Sequence, residues 1–401
     1  MATPENWTPA ARHAVAGSFL GWTLDAFDFF ILTFVLPDIA AQFHVTIPAI
    51  AVALTVTLAL RPVGAFIFGR LADRYGRKHV FCLNIAFYSV FGFATAFAPS
   101  LLGFLVIRGL FGVAMGGIWG VGASLAFETI PAKARGFVSG LMQAGYSTGY
   151  LFAALVFGFF YAVAGWRGLF MIGALPALLL IVYVQVCVTE SPGWSVARAK
   201  ASTTFAVLRD HWKLALYGIV LMTAFTFFSH GTQDVYPVFL QKQHGFDHAT
   251  VSAIAVVYNI GAILGGILFG SLSQRLGRRR TSITAALLAL PVTALWAFST
   301  TALMLGIGAF AMQFFVQGAW GVVPAQLNEL SPPGARGTFP GTIYQLGNLI
   351  ASSNAVLQTT IAANSGGNYA IALASVAVCA ALAISLTVWL GPEAQNVALA
   401  D

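Results

Sequence analysis

Long apolar runs alternate with short polar turns along the whole chain, and twelve of the runs are long enough to be membrane-crossing helices. Each approaches the roughly 20 residues that a helix needs to traverse hydrocarbon. They lie at 13–36, 48–71, 79–98, 101–124, 136–160 and 166–187, then at 213–240, 249–271, 281–299, 302–326, 337–361 and 368–391. Within lipid only helices and closed barrels satisfy their own backbone, and the alternating pattern of a membrane barrel is absent here. The prediction is an all-α membrane protein of twelve transmembrane helices. A polar stretch from Thr189 to His211, carrying Pro192, Arg198, Lys200, Arg209 and Asp210, divides the runs six and six. This predicts a six-helix bundle over 1–188, a linker on the cytoplasmic side over 189–212 and a second six-helix bundle over 213–401.

The turns repeat as well. GRLADRYGRK (Gly69–Lys78) returns as GSLSQRLGRRR (Gly270–Arg280), GIWGV (Gly117–Val121) as GAWGV (Gly318–Val322), and ETIPAKARG (Glu128–Gly136) as ELSPPGARG (Glu329–Gly337). All three keep one offset of 201 positions, half the chain. A constant offset across separate motifs marks two structural repeats, the parallel-repeat logic of one large class of secondary transporters. Small-residue runs at 109–122, 136–149 and 261–270 suit helices that approach closely and slide past one another in lipid.

Composition removes the alternatives. With 58% hydrophobic and 8% charged residues and a mean hydropathy of +0.82, the chain has too little polar surface to cover a soluble globule. A net charge of +7 would suit a nucleic-acid binder, yet its distribution follows topology instead. With the N-terminus inside, sixteen of the twenty Lys and Arg fall in inner loops, and the outer side holds only Arg167 and Lys242. That bias predicts a multi-pass protein of the inner (plasma) membrane with both termini cytoplasmic and no nucleic-acid partner. The polar N-terminus ahead of a full-length first span reads as uncleaved. Cys82, Cys187 and Cys379 lack metal or redox spacing, and the spans hold no HExxH, GxSxG or paired Cys and His. No enzyme activity, cofactor or metal is therefore expected.

GRLADRYGRK resembles the signature loop between helices two and three of the major facilitator superfamily, and its degenerate copy fits the loop between helices eight and nine. The resemblance covers the whole chain. It implies the major facilitator fold of two six-helix pseudo-repeats, with Asp73 and Arg77 as a charge relay that holds the cytoplasmic side shut. Gln274 stands at the offset of Asp73, so the latch is expected to be stronger in the first half. Glu128 beside Arg135 and Glu329 beside Arg336, at repeat-related inner helix ends, are read as structural or gating pairs. In helix seven, FTFFSHGTQDVYPV is similar to the N-x-x-[ST]-H-x-[ST]-Q-D-x-x-x-T motif of Jen-type lactate and pyruvate permeases. Ser229, His230, Thr232, Gln233 and Asp234 match, while Thr226 and Val238 stand where that motif has Asn and Thr. Jen-type proteins belong with sialate:proton symporters and short-chain carboxylate carriers. The resemblance thus implies proton-coupled uptake of a small organic acid anion, a monocarboxylate such as L-lactate or pyruvate ahead of sialate or another carboxylate. The expected partners are that anion, protons and lipid, with the chain acting as a monomer.

Charged side chains inside the spans carry the candidate chemistry, because each costs several kcal/mol in lipid unless it is paired or wet. Asp25 and Asp28 lie in helix one, Arg61 in helix two, Arg108 in helix four, and His230 and Asp234 in helix seven. Counting from the loops puts Asp25 and Arg61 near the midplane, where they could meet. Arg108, Asp28, His230 and Asp234 fall in the outer half. The aspartates are three apart and His230 and Asp234 four apart, so each pair shares a helix face and can look into one cavity.

Arg61 or Arg108 is expected to bind the substrate carboxylate, Arg61 ahead for its depth, because guanidinium offers a fixed two-pronged donor. The other arginine then pairs with an aspartate. For proton coupling the choices are Asp28 first, then Asp25, His230 and Asp234, since burial favours the neutral carboxyl unless an arginine holds it ionised. Protonation outside would free the arginine, the anion would take its place, and the neutralised carrier would close. Tyr146, Asn259, Gln345 and Asn348, with His230 and Gln233, are expected to line the substrate. Gln143, Ser147, Tyr150, Tyr258, Gln313, Gln317, Trp320, Tyr344 and Asn354 share their cavity-facing spacings. A drug exporter, the rival within the class, would favour buried acids over buried arginines.

Overall fold

A computed structural model describes residues 7–127, 129–130, 135–190, 209–331 and 339–393, though not every side chain within them, those of Asp73, Arg135 and Gln274 being among the ones left out. Most of the expected linker, 191–208, lies outside the described residues, as do Glu128 and Arg336. Among the described residues there are fourteen helices. The first half holds α1 (Pro9–Gln42), α2 (Ile47–Tyr75), α3 (Arg77–Thr95), α4 (Leu101–Phe127) and α5 (Arg135–Cys187). The second holds α6 (Trp212–Gln233), α7 (Tyr236–Lys242), α8 (His248–Leu276), α9 (Arg278–Phe298), α10 (Ala302–Trp320), α11 (Val323–Leu330), α12 (Phe339–Ala351), α13 (Asn354–Asn364) and α14 (Tyr369–Leu390).

Nine stretches among the described residues are long and apolar enough to cross a membrane. The longest, Leu141–Cys187, holds two crossings, because Gly165 (φ 59°, ψ −177°) breaks the helical path inside α5. Adding α3, which opens on Arg77, Lys78 and His79, and the interrupted pair α12–α13 gives twelve. The surface is inverted relative to a soluble protein: Val163 and Leu179 are 91% and 75% exposed, while Asp25, Arg61 and Arg108 are completely buried. Apolar residues outside and charges inside are what lipid as the solvent selects.

Local sequence sets the helix ends. On the side away from the basic loops, Thr46, Asp247, Thr301 and Asn368 each accept a bond from the amide three residues on, opening α2, α8, α10 and α14. The basic loops do it differently. Gly76 (φ 104°) and Gly277 (φ 93°), one repeat apart, turn the chain where an L side chain would be strained. The α3 and α9 amides are then capped from the end of the half: Glu190 accepts from Arg77 N at 2.9 Å, and Glu393 from Arg278 N at 3.2 Å.

The repeat is also written in the packing. A Cβ on Gly64 would collide with the Val113 carbonyl, and one on Gly265 with that of Phe314, so α2 meets α4 as α8 meets α10. The halves join on the side away from the basic loops. There Ser252 Oγ donates to Ala154 O at 2.6 Å, Gln241 Nε2 to Phe34 O at 2.9 Å, and the His248 ring packs 3.9 Å from that of Tyr161. On the basic-loop side a narrow cleft separates them, lined by Trp119 and Gln143 of the first half and by Trp320, Leu327, Pro340 and Tyr344 of the second.

Candidate functional site

Proline shapes the point where helix seven enters the site. Pro237 lacks the amide that would bond Gln233 O, so α6 stops at Gln233 and α7 starts afresh. The freed carbonyl accepts the Tyr150 hydroxyl of the other half at 3.1 Å. Just inside this break, His230 Nδ1 lies 3.0 Å from Asp234 Oδ2, both side chains almost fully buried. Phe29 meets the His230 ring edge-on at 5.8 Å.

Arg61 stands at the junction of the halves. Its Nη2 donates to the Tyr344 hydroxyl at 3.4 Å, and its guanidinium lies over the rings of Trp22 (5.7 Å) and Tyr344 (5.4 Å). Nε and Nη1 find no protein acceptor. Trp22 stacks on Tyr146 at 5.3 Å, and Tyr344 touches Trp119 and Trp320 at 5.6 and 5.8 Å, so aromatic rings of both halves enclose the charge. Asp25 lies within the fields of Arg61, Asp28 and Arg108, and neither of its oxygens is hydrogen-bonded within the protein.

Asp28 departs from the expectation of a shared cavity with Asp25. It points into the interior of the first half, where a Cβ on Gly92 of α3 would collide with its Oδ2 and one on Gly173 of α5 would sit 3.2 Å from its Oδ1. Three residues turn a helix by about 300°, which leaves adjacent but divergent directions. Arg108 shares this interior and lies over Phe111 at 4.2 Å, with no protein acceptor on any of its nitrogens. Tyr88, which the sequence reading did not single out, joins the group from α3, and Asn84, also not singled out, lies one turn away against Gly117 of α4. Both are buried, and neither the Tyr88 hydroxyl nor the Asn84 amide has a hydrogen-bond partner in the protein. They sit at four-residue spacing with Gly92, a stripe visible in the sequence once Asp28 is known to face it.

Several of the remaining polar candidates are engaged with one another. Thr226 Oγ1 donates to Asn348 Oδ1 at 3.2 Å, Asn348 Nδ2 to Gln345 Oε1 at 3.1 Å, and Gln233 and Gln317 both to Ser229 Oγ at 2.9 and 3.0 Å. Gln313 donates to Thr232 Oγ1 at 2.9 Å, and Asn259 to Ala255 O of its own helix at 2.9 Å. Tyr146 keeps a hydroxyl without a protein partner.

Of the gating residues, Arg77 is buried at the turn capped by Glu190, and Glu329 forms a two-pronged ion pair with Arg278, at 2.9 and 3.0 Å. Arg278, 51 residues earlier in the chain, is a partner that the sequence reading did not name for Glu329. Glu128, Arg336 and the side chains of Asp73 and Arg135 lie outside the described residues.

Two pseudo-symmetric six-helix halves around a charged central junction define a secondary transporter rather than an enzyme. Residues 18–233 and 219–399 each match the Major Facilitator Superfamily model, and the chain belongs to that family. It is 30% identical over 372 residues to a carboxylic acid transporter protein homolog of Saccharomyces cerevisiae, covering 86% of this chain and 60% of that protein's length. It is 28% identical to the sialic acid transporter NanX of Escherichia coli, covering 93% of each. The fold matches the partially occluded, inward-open xylose transporter XylE of E. coli with a TM-score of 0.76 at 18% identity, over 98% of this chain and all of the other.

Proposed function

We propose that this transporter is a proton-coupled symporter of a small organic acid anion, a monocarboxylate of the L-lactate or pyruvate kind, working as a monomer by alternating access. The observation that carries the reading is Arg61, fully buried between the halves with two nitrogens that no protein group accepts from. A permanent charge is held at such a place when an anion shares it. The similarity to a yeast carboxylic acid transporter homolog supports an acid as cargo.

Proton coupling is assigned to Asp28 with Arg108, and Asp25 connects them to Arg61 through their fields. A proton on Asp28 or Asp25 removes a negative charge that competes with the acid for the arginines. The neutral ensemble then crosses the closed state at lower cost than a charged one. His230 and Asp234 form the matching group of the second half. With the basic loops in the cytoplasm of an inner membrane, the described cleft opens inward, the Tyr150, Ser252 and Gln241 contacts seal the outside, and both termini are cytoplasmic. The bundles 1–188 and 213–401 are the rocking bodies, with 189–212 as their linker and the Arg278–Glu329 pair as an inner clasp.

NanX favours sialate as a second reading. Uptake of labelled L-lactate, pyruvate, acetate and sialate into proteoliposomes, with and without an inward proton gradient, decides between them. Gradient-driven accumulation of one acid that a protonophore abolishes is expected. Equal uptake without the gradient would reduce the protein to a facilitator. Arg61→Lys keeps the charge but loses the fork, so unchanged affinity in that variant would remove Arg61 from the binding role.

A further inference from the structure

We propose that the acid's carboxylate takes the place on Arg61 now held by the Tyr344 hydroxyl and that its body lies flat among the surrounding rings. Within the monocarboxylates proposed above it narrows the cargo to the pyruvate side: the site selects acids whose carboxyl is conjugated with a planar body, a keto group, arene, heteroarene or alkene, over acids with a hydroxylated tetrahedral carbon such as L-lactate. This rests on the reading of Arg61 as the anion receptor.

The first argument is the geometry of guanidinium. Its two forks are Nε with Nη2 and Nη1 with Nη2, so every two-pronged grip on a carboxylate uses Nη2. Tyr344 takes one of the two N–H groups of that nitrogen at 3.4 Å, a long and weak hydrogen bond, while the other two nitrogens have no protein acceptor. A carboxylate gripping the fork that faces Tyr344 would exchange this one long contact for two short ones between opposite charges. Tyr344 thus marks the ligand's position and belongs to the second half, whereas Arg61 belongs to the first.

The second argument is what surrounds the fork. A two-pronged guanidinium–carboxylate pair is coplanar, and the guanidinium lies over the rings of both Trp22 and Tyr344. A conjugated acid continues that plane and meets the same ring faces. A tetrahedral carbon next to the carboxyl turns its substituents out of the plane and into the rings. The cleft beyond Tyr344 extends the preference: Trp119, Trp320, Val323, Leu327 and two prolines line it, with Gln143 as its one amide. One ring nitrogen or keto oxygen can be met there, but the several hydroxyls of a sugar acid would be buried unpaired.

The test uses the full chain in lipid nanodiscs with nicotinate, benzoate, L-lactate and N-acetylneuraminate as competing probes. Nicotinate and benzoate are expected to bind about tenfold more tightly than the other two, the scale of one good ring contact. Tyr344→Leu and Trp119→Leu should each bring the nicotinate-to-lactate ratio towards one. Tyr344→Phe keeps the ring and should keep the ratio while tightening both acids, because the competing hydroxyl is gone. Lactate or N-acetylneuraminate binding the unaltered protein as tightly as nicotinate would overturn the inference, as would a ratio that survives Tyr344→Leu or is lost in Tyr344→Phe. If a proton gradient drives uptake of lactate or N-acetylneuraminate but not of the flat acids, this inference fails alone. If it drives uptake of none of the four, the proposed function fails first.

Discussion

The two halves meet the same architectural demand with opposite chemistry at matching positions. Asp25, Asp28, Arg61 and Arg108 of the first half stand 201 residues before Thr226, Ser229, Ala262 and Ala309 of the second. Thr226 and Ser229 are tied into hydrogen bonds with Asn348, Gln233 and Gln317, while Asp25 and Arg108 hold no protein hydrogen-bond partner through their side-chain charges. Packing follows the same split. Gly112 and Gly116 press α4 onto the carbonyls of Thr57 and Arg61, and their counterparts Gln313 and Gln317 reach out as amides. The first half thus keeps its charges unsatisfied and its backbone tight around them. At the matching positions the second spends its polar groups on itself.

Exchanging the halves' residues should break this contrast most severely where backbone meets backbone. Gly116→Gln places a side chain on the Arg61 carbonyl and should cost about 3 kcal/mol or more, read as loss of monodisperse protein in size-exclusion chromatography. The reverse exchange, Gln317→Gly, removes one bond to Ser229 and adds a helix glycine, and should cost about 1–2 kcal/mol in thermal unfolding.

Gly92→Ala asks whether Asp28 works from inside the bundle. The added carbon meets the mobile end of a side chain, so the fold should survive while gradient-driven uptake falls about tenfold, equivalent to about 1.4 kcal/mol. Combined with Asp28→Asn it should do no further harm, and additive losses would show that Gly92 acts elsewhere.

Tyr150→Phe leaves the Gln233 carbonyl without its partner from the opposite half. About 1 kcal/mol of the contact between halves should be lost, a roughly fivefold shift towards separation of the sealed side in spin-label distance distributions. Gln313→Leu is the mildest, about 0.6 kcal/mol in melting experiments, because one interhelical bond in lipid carries little.

Legibility followed the kind of force involved. Spans, loop signatures and the repeat are set by residues adjacent in sequence, and counting along helix two places Arg61 near the midplane, though not on the face that meets the second half. The direction of Asp28 did not, since three residues along a helix separate a central cavity from a bundle interior. The Arg278–Glu329 pair was hidden for a related reason: the turn at Gly277 brings Arg278 across from another helix, 51 residues away in the chain. Trp22 and Trp119 passed as ordinary apolar residues because nothing local tells a lipid-facing indole from one laid beside the Arg61 guanidinium or against Tyr344.

By itself the sequence determined that this chain lives in lipid, crosses it twelve times, is built twice over and retains a handful of charges that lipid would otherwise reject. Those are consequences of transfer free energy, which each residue carries wherever it sits. Which charges face the other half, which are sealed within their own, and which rings enclose Arg61 were decided by helix rotation and close approach. These depend on contacts between residues far apart in the chain, and no local pattern encodes them.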